Sequence, residues 1–325
     1  MLKRGDELLE RTRIFSGNAH PELAQEICDY LGIPLSPIDS GSFSNECLHV
    51  QLQDSVRNRD VFVVQPFCPP EMSRCILEFL MLLDAARGAS ARSVHAVIPY
   101  YAYSRSDKKD EPHMCIAARL MADLVVTAGA NHVMTMTLHS PQVHGFFSVP
   151  TDHLTATSVL AEHFKHEDLR DVVVVAPDIG HAKRATHFAR ALGRVPVAAA
   201  NKQRVDDLTV RVEGIIGDVR EKRVILIDDE VATAGSIVGV MEALRDERVH
   251  EVTLVCTHGI FSGPAIERLS SIPELAKIVT TNTVPISLEK RRQLPNMAVL
   301  SVAPVFGEAI RSNCLGLSVG PLSAY

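Results

Sequence analysis

The run Val224-Ile225-Leu226-Ile227-Asp228-Asp229-Glu230-Val231-Ala232-Thr233-Ala234-Gly235-Ser236 constrains the fold more than any other stretch of this chain. Four apolar, β-favouring residues end in two adjacent carboxylates. Small residues and a glycine follow, and a helical pattern opens over 237–244. This is a strand feeding a helix through a tight turn. Such a turn aims backbone N–H groups, the Thr233 and Ser236 hydroxyls and the positive end of the helix dipole at one spot. That combination holds a phosphate monoester without a lysine. Asp228 and Asp229 stand where they can grip the hydroxyls of a sugar attached to that phosphate. The plainer alternative is an exposed turn whose aspartates cap the helix. The apolar strand before the pair and the T-A-G-S loop after it favour the sugar-phosphate site.

The same layout recurs along the chain. Short β-rich runs at 60–64, 93–98, 132–138, 172–176, 195–199, 223–227, 251–257 and 277–281 alternate with helical stretches. Those stretches are 21–31, 73–86, 114–127, 155–166, 181–192, 237–245 and 265–271. The alternation predicts an α/β fold with mostly parallel sheets covered by helices. A length of 325 residues suits two domains. We expect one over 1–153 and one over 154–305, with 306–325 packing back on the first. No apolar run approaches the roughly 20 residues that span a bilayer, and no signal peptide is evident at the start. Seven scattered cysteines without a C-x-x-C pair suit free thiols in a reducing cytosol, so a cytoplasmic location is expected. A net charge of −6 argues against nucleic-acid binding through a broad basic face, though not against small anionic ligands.

Many of the strands run straight into polar chemistry. Ile98 leads to Arg105-Ser106-Asp107-Lys108-Lys109, Leu138 to His139, Ala176 to Asp178 and Ile227 to Asp228. In open α/β sheets the ligand crevice lies outside the carboxyl ends of the strands. His139 and Asp178 on that edge offer an imidazole and a carboxylate for Mg²⁺, which keeps its other positions for water and substrate phosphates. Taken singly, they read as an ordinary histidine and a helix cap. Lys202 and Arg204 follow a strand in a polar stretch. They make either a solvated loop of balanced charge or a mobile cationic loop that neutralises a polyphosphate in a transition state. Arg105, Asp107 and the two lysines are an ordinary charge run by themselves. Tyr100, Tyr101 and Tyr103 before them are plain packing or the wall of a nucleotide pocket. Phe43-Ser44-Asn45-Glu46 is a turn with one apolar tip.

Eight motifs in uninterrupted order resemble the ribose-phosphate diphosphokinase (PRPP synthetase) family. They are I-F-S-G-N-A-H-P-E-L (14–23), V-I-P-Y-Y-A-Y-S-R (97–105), H-V-M-T-M-T-L-H (132–139), H-G-F-F-S-V-P (144–150), V-A-P-D-I-G (175–180), I-I-G-D-V (215–219), I-D-D-E-V-A-T-A-G-S (227–236) and T-H-G-I-F-S-G-P-A-I-E-R (257–268). The resemblance implies two phosphoribosyltransferase-like α/β domains and a homo-oligomer built of dimers, usually a hexamer. It implies transfer of the diphosphoryl group of MgATP to the 1-hydroxyl of ribose 5-phosphate, giving AMP and PRPP. Carried over by position, His139 and Asp178 match metal ligands, and Asp228 and Asp229 match acids at the ribose. Thr233, Ala234, Gly235 and Ser236 match the 5-phosphate cradle. Lys202 and Arg204 match the catalytic cations. Arg105 matches an ATP contact, with Ser106 and Asp107 beside it. Phe43 matches a residue that stacks on adenine across a subunit boundary, with Asn45 in the same loop.

The departures from the family pattern fall mainly on sugar and adenine recognition. Ala232 replaces an acid, Ser106 a glutamine, and Asn45 and Cys47 an aspartate and a glutamate. His181 replaces the second glycine after P-D-x, and Thr137 an aspartate. Ser55, Arg57 and Asp152 fit an allosteric phosphate site. Pro141, His144 and the tail at Ser318 depart from it, which implies weak or unusual phosphate activation. The alternatives are a non-catalytic regulatory homologue and a diphosphokinase with an altered donor nucleotide or sugar phosphate.

Overall fold

The apolar runs become the inner strands of two sheets. The computed structural model describes residues 10–204 and 210–323. They divide into two units: one runs up to Thr155 and takes in Thr283–Pro285 and the segment from Val302, and the other comprises Ala156–Asn282 and Ile286–Ser301.

The first unit contains β1 (Thr12–Ser16), α1 (Pro21–Leu31), β2 (Ile38–Ser42), β3 (Leu48–Leu52), β4 (Asp60–Val64), α2 (Met72–Gly88), β5 (Ser93–Ile98), α3 (Ala117–Ala128), β6 (His132–Met136) and β7 (Thr151–Leu154). Five strands form one parallel sheet in the order β1-β4-β5-β6-β7. Strands β2 and β3 make a separate antiparallel hairpin that packs on α2. Every residue of β4 is buried, as expected of a strand covered on both faces. Alternate residues Val61, Val63, Val94, Ala96 and Ile98 join the core with Phe79, Leu82 and Leu83 of α2 and Ala118, Ala122 and Val125 of α3. Another layer is built by α1 and the C-terminal helix Ala303–Leu315, which pack on each other, with Ile27, Phe306 and Ile310 buried and Tyr30 Oη donating to Glu308 Oε2 at 3.2 Å. After that helix the chain returns to β7: Leu154 bridges Ser323, and Thr155 N donates to Leu322 O at 3.0 Å.

The second unit contains α4 (Thr157–Glu162), β8 (Val172–Ala176), α5 (Ala182–Ala191), β9 (Val197–Arg204), β10 (Val210–Ile216), β11 (Arg223–Val231), α6 (Gly235–Asp246), β12 (Glu251–Gly259), α7 (Ala265–Ser270), β13 (Leu275–Thr281), α8 (Leu288–Gln293) and β14 (Met297–Leu300). Its sheet runs β10-β9-β8-β11-β12-β13-β14 and is parallel except for the β9–β10 pair. From β8 the chain builds outward on one side, and from β11 it builds on the other. The order therefore reverses between β8 and β11, and a crevice opens at the carboxyl ends of those two strands.

β1, β2, β3, β7, β10 and β14 are strands the sequence reading did not name, and three that it did name run further at their carboxyl ends. β11 continues through Asp228 and Asp229 to Val231, and β12 continues to Gly259. The register pairs Asp228 with Cys256 and Glu230 with His258, so ladder bonding carries the carboxylates past the point where polarity suggests a turn. β9 extends to Arg204, with Lys202 opposite Val212, so both cations stand on a hairpin strand. Among the described residues no helix is long and apolar enough to cross a membrane.

Candidate active site

The crevice of the second unit is lined from four elements. Asp178 follows β8 and caps the short turn Ile179–His181, accepting from His181 N at 3.1 Å. The same turn brings the imidazole of His181 round. Its Nδ1 lies 2.7 Å from Asp178 Oδ1 and its Nε2 lies 3.3 Å from Asp229 Oδ1. One turn into α5, Arg184 places Nη1 2.7 Å from that same Asp229 oxygen. From β9, Lys202 reaches to 3.8 Å of Asp178 Oδ2 with only 16% of its side chain exposed. The structure thus gathers Asp178, Lys202 and Asp229 from the sequence-read candidates. The Arg204 side chain lies outside the described residues.

The charges in this crevice set one another. Hydrogen bonds to Asp178 and then Asp229 outweigh burial and raise His181 to about 9. Burial pushes Asp178 up, but the His181 bond and charge, with Lys202, hold its carboxyl below the ordinary value. Asp229 is 1% exposed and is faced by two cations. Asp228 is half-buried. Burial, and after it the charge of Asp229, push its carboxyl well up. Two adjacent carboxylates cannot both ionise easily in such a place, and Asp229 keeps the charge because His181 and Arg184 face it.

The loop after β11 is held from behind. Val231 O accepts from Ile260 N and Phe261 N, each at 3.0 Å, and Ala232 O accepts from Ser262 N at 2.9 Å. Thr233 O accepts from Arg268 Nη1 at 2.8 Å. With three successive carbonyls turned back into the protein, Ala234 adopts φ +59°, the left-handed region that a residue with a Cβ seldom takes. Helix α6 starts at the next residue. Among the described residues no hydrogen-bond acceptor meets the N–H groups of Thr233, Ala234, Gly235 and Ser236. Thr233, Gly235 and Ser236 are exposed. A left-handed non-glycine residue beside four unbonded donors is a geometry that suits an anion.

The candidates of the first unit are spread over several of its elements. His139 is half-buried and follows β6. The backbone between them is bent by Thr137, a β-branched residue at φ +43°, and is fixed by Leu138 N donating to His153 Nε2 at 2.9 Å. Phe43 is 59% exposed at the tip of the β2–β3 hairpin. Its N–H donates to Cys47 O at 2.8 Å, and Asn45 Oδ1 accepts from Cys47 N at 3.1 Å. Arg105 is exposed at the end of the turn Ala102–Arg105. Asp107 accepts from Gln142. The Ser106 hydroxyl is committed elsewhere: it accepts from Ala117 N and donates to Cys115 O, each at 3.2 Å, at the head of α3. Ser55 and Arg57 flank a groove of about 400 Å³ that is also lined by Val50, Leu52 and Ala85. Asp152 instead meets His132 Nε2 at 3.0 Å, and Ser318 Oγ accepts from Gly320 N in the tail.

Sequence reasoning missed His181 and Arg184 as parts of the site. The signal was available, because they follow Asp178 by three and six residues at the start of a helix, the spacing that puts side chains on one face.

Comparison with known proteins agrees along nearly the whole chain. A family model described as the N-terminal domain of ribose phosphate pyrophosphokinase matches residues 12–129, and one described as a phosphoribosyl synthetase-associated domain matches 208–322. The chain is 47% identical over 312 residues to the ribose-phosphate pyrophosphokinase of Deinococcus radiodurans, covering 95% of this chain and 97% of that one. It is 46% identical to the Clostridium acetobutylicum protein of the same name, covering 92% and 93%. The crystal structure of phosphoribosylpyrophosphate synthetase from Mycobacterium smegmatis superposes with a TM-score of 0.87 at 37% identity, covering 94% of this chain and 99% of that one.

Proposed function

The chain belongs to the ribose-phosphate pyrophosphokinase family, and from that premise we propose that it transfers the diphosphoryl group of MgATP to the 1-hydroxyl of ribose 5-phosphate, giving AMP and PRPP. The observation that carries this reading is the row of free N–H groups at 233–236, set beside the Asp228–Asp229 end of β11 at the sheet's switch point. The row fits a phosphate monoester, and a carboxylate beside it fits the hydroxyls of the attached sugar.

Roles follow from placement. The N–H groups of Thr233, Ala234, Gly235 and Ser236, with the Thr233 and Ser236 hydroxyls, anchor the 5-phosphate. Asp228, the less buried carboxylate, takes the ribose hydroxyls. Asp229, locked by His181 and Arg184, fixes the position of Asp228 through the backbone. Lys202 is a compact cation in a sheltered place, suited to the charge that develops on a migrating diphosphoryl group. Arg204 is assigned the same task by its position two residues on. Phe43, Asn45, Arg105 and Asp107 are assigned to the nucleotide.

Asp178, held ionised by His181 and Lys202, has the oxygen donors that a hard divalent cation requires. His139, in the first unit, is assigned as a metal ligand by its match to the family pattern. Mg²⁺ bound there would neutralise phosphate oxygens and favour the ionised sugar hydroxyl. The 1-hydroxyl attacks the β-phosphorus in line and its proton passes to solvent, while the bond from the β-phosphorus to the α–β bridging oxygen breaks and AMP leaves with that oxygen; Lys202 and Arg204 are assigned to the charge on the migrating group.

The assembly is proposed as a homo-oligomer of dimers. Ser55 and Arg57, which line one groove, are assigned to an effector site with a weak or unusual response to phosphate, and Asp152 and Ser318 are weaker candidates for it. Titration of the full-length protein with ribose 5-phosphate, followed by ³¹P NMR, tests the cradle. The bound phosphorus signal is expected to shift, and Gly235→Val is expected to abolish the shift. An unaltered titration in that variant would place the phosphate elsewhere.

A further inference from the structure

One face of the first sheet carries a row of polar side chains that the proposed reaction does not use. Ser93 and His95 of β5 alternate with Val94 and Ala96, which face the α2–α3 core, so both polar residues point to the opposite face. His95 stands beside His132 of β6 in register, and the two are 7% and 8% exposed. The ring of Phe62 stacks on His95 with centroids 4.2 Å apart.

A continuous chain of contacts crosses four strands on this face. His132 Nε2 lies 3.0 Å from Asp152 Oδ2 of β7. His132 Nδ1 lies 3.2 Å from His95 Nδ1. His95 Nε2 lies 2.9 Å from Ser93 Oγ, and Ser93 Oγ lies 2.6 Å from Asp60 Oδ1 of β4. Asp60 also accepts from Arg92 Nε at 2.7 Å. The titratable or charged groups facing the two rings from the neighbouring elements are Asp60, Arg92 and Asp152, with Cys314 of the C-terminal helix beyond Asp60 and Arg92.

The proton inventory of this chain is informative. Five groups, from Asp152 to Asp60, are joined by four links, and each link needs one hydrogen. Two neutral imidazoles and one hydroxyl supply three. In the neutral state one link must therefore lack its hydrogen, although all four are within hydrogen-bonding distance. One added proton fills every link in a single direction. His132 then donates from both nitrogens, to Asp152 and to His95. His95 donates from Nε2 to Ser93, and Ser93 donates to Asp60. Charge gives the same count. Arg92 balances Asp60, which leaves the half-buried Asp152 without a counter-charge until one proton is added.

We propose that His95 and His132 form one buried proton-binding site, whose single proton aligns the hydrogen bonds from Asp152 on β7 to Asp60 on β4. The proton sits on the ring against Asp152. Burial, and then the charge of His132, hold His95 down to about 3, which suits His95 to pass a hydrogen bond on rather than hold the charge. The two ends of the relay adjoin the two anchors of the C-terminal segment. At one end Thr12 Oγ1 meets Cys314 Sγ at 3.3 Å near Asp60, and at the other β7 pairs with Ser323. Occupancy of the site tightens the hold of the sheet on that segment. The inference concerns the first unit alone and stands whatever reaction the enzyme performs.

The test is ¹⁵N NMR of the full-length protein labelled at histidine, followed from pH 5 to pH 9. Both rings are expected to pass through one shared transition that takes up one proton in total. Once His132 is doubly protonated, His95 Nδ1 should be an acceptor and His95 Nε2 should carry the ring's hydrogen. In His95→Gln the transition at His132 should move by about tenfold in proton affinity, the scale of a coupled pair. His144→Gln, outside the relay, should leave it in place. Protection of the Thr155 N–H against exchange should rise as the proton binds. Two independent transitions, rings that do not change across the range, or an unmoved His132 in His95→Gln would each overturn the proposal. If His95→Gln does not fold, the wild-type spectra decide alone.

Discussion

Replacing His181 by glutamine probes how the crevice of the second unit is held. The imidazole is bonded to Asp178 at 2.7 Å and lies 3.3 Å from the buried Asp229. These contacts raise it from 6.5 to about 9, which corresponds to about 3 kcal/mol of stabilisation. The folded chain binds this proton more tightly than the unfolded chain does. The stabilisation is therefore fully present below about pH 6.5 and is lost as pH rises through about 9. One-fifth of the side chain is exposed, so about 3 kcal/mol is the upper end. Glutamine keeps a donor toward Asp178 but carries no charge. Urea unfolding followed by circular dichroism, with a chelator present, gives both free energies at each pH. The wild-type advantage over His181→Gln is expected to shrink by about 2–3 kcal/mol between pH 6.5 and pH 9. A difference that stays flat, or grows with pH, would refute the claim that a protonated His181 bridges the two aspartates.

Lys202→Ala should lower kcat by roughly a hundredfold or more with little change in KM, because its charge is needed chiefly in the transition state; steady-state kinetics with an unchanged kcat would remove Lys202 from the mechanism. Ser106→Ala should cost about 1 kcal/mol at the head of α3 and leave the KM for ATP within about threefold. A tenfold rise in that KM would show that the hydroxyl reaches the nucleotide. Gly17→Ala would drive a Cβ into the side-chain amide of the fully buried Gln65, which accepts from Ala19 N and donates to Glu78. The strain and a lost buried bond should destabilise the first unit by about 2–3 kcal/mol, and a melting temperature equal to that of wild type would contradict this packing.

The central strands were legible because burial on both faces leaves an unmistakable residue pattern: β4, β5 and β8 lie where their apolar runs predict. The edge strands were not, since β2 is Ile-Asp-Ser-Gly-Ser and half of it meets water. Carboxylates also hid the true length of β11. Asp228 and Asp229 read as a turn, yet β12 supplies a ladder partner and His181 and Arg184 supply the counter-charge that lets Asp229 be buried. The polar residues around Lys202 likewise suggested a loop, but pairing with β10 makes them a strand. The loop proposed to hold phosphate was visible in T-A-G-S as a candidate. The device that shapes it was not, because Arg268 on Thr233 O and the 260–262 backbone on the preceding carbonyls come from a segment about thirty residues away in sequence. The His95–His132 relay was invisible for the same reason, as it depends on register across four strands.

The most direct measurement is AMP release by the purified full-length protein given MgATP, with ribose 5-phosphate present or absent and a panel of other nucleotide donors alongside. AMP formed in equal amount with PRPP, and only when the sugar phosphate is present, is the predicted result. No turnover with any donor, or AMP released at the same rate without the sugar, would contradict the account.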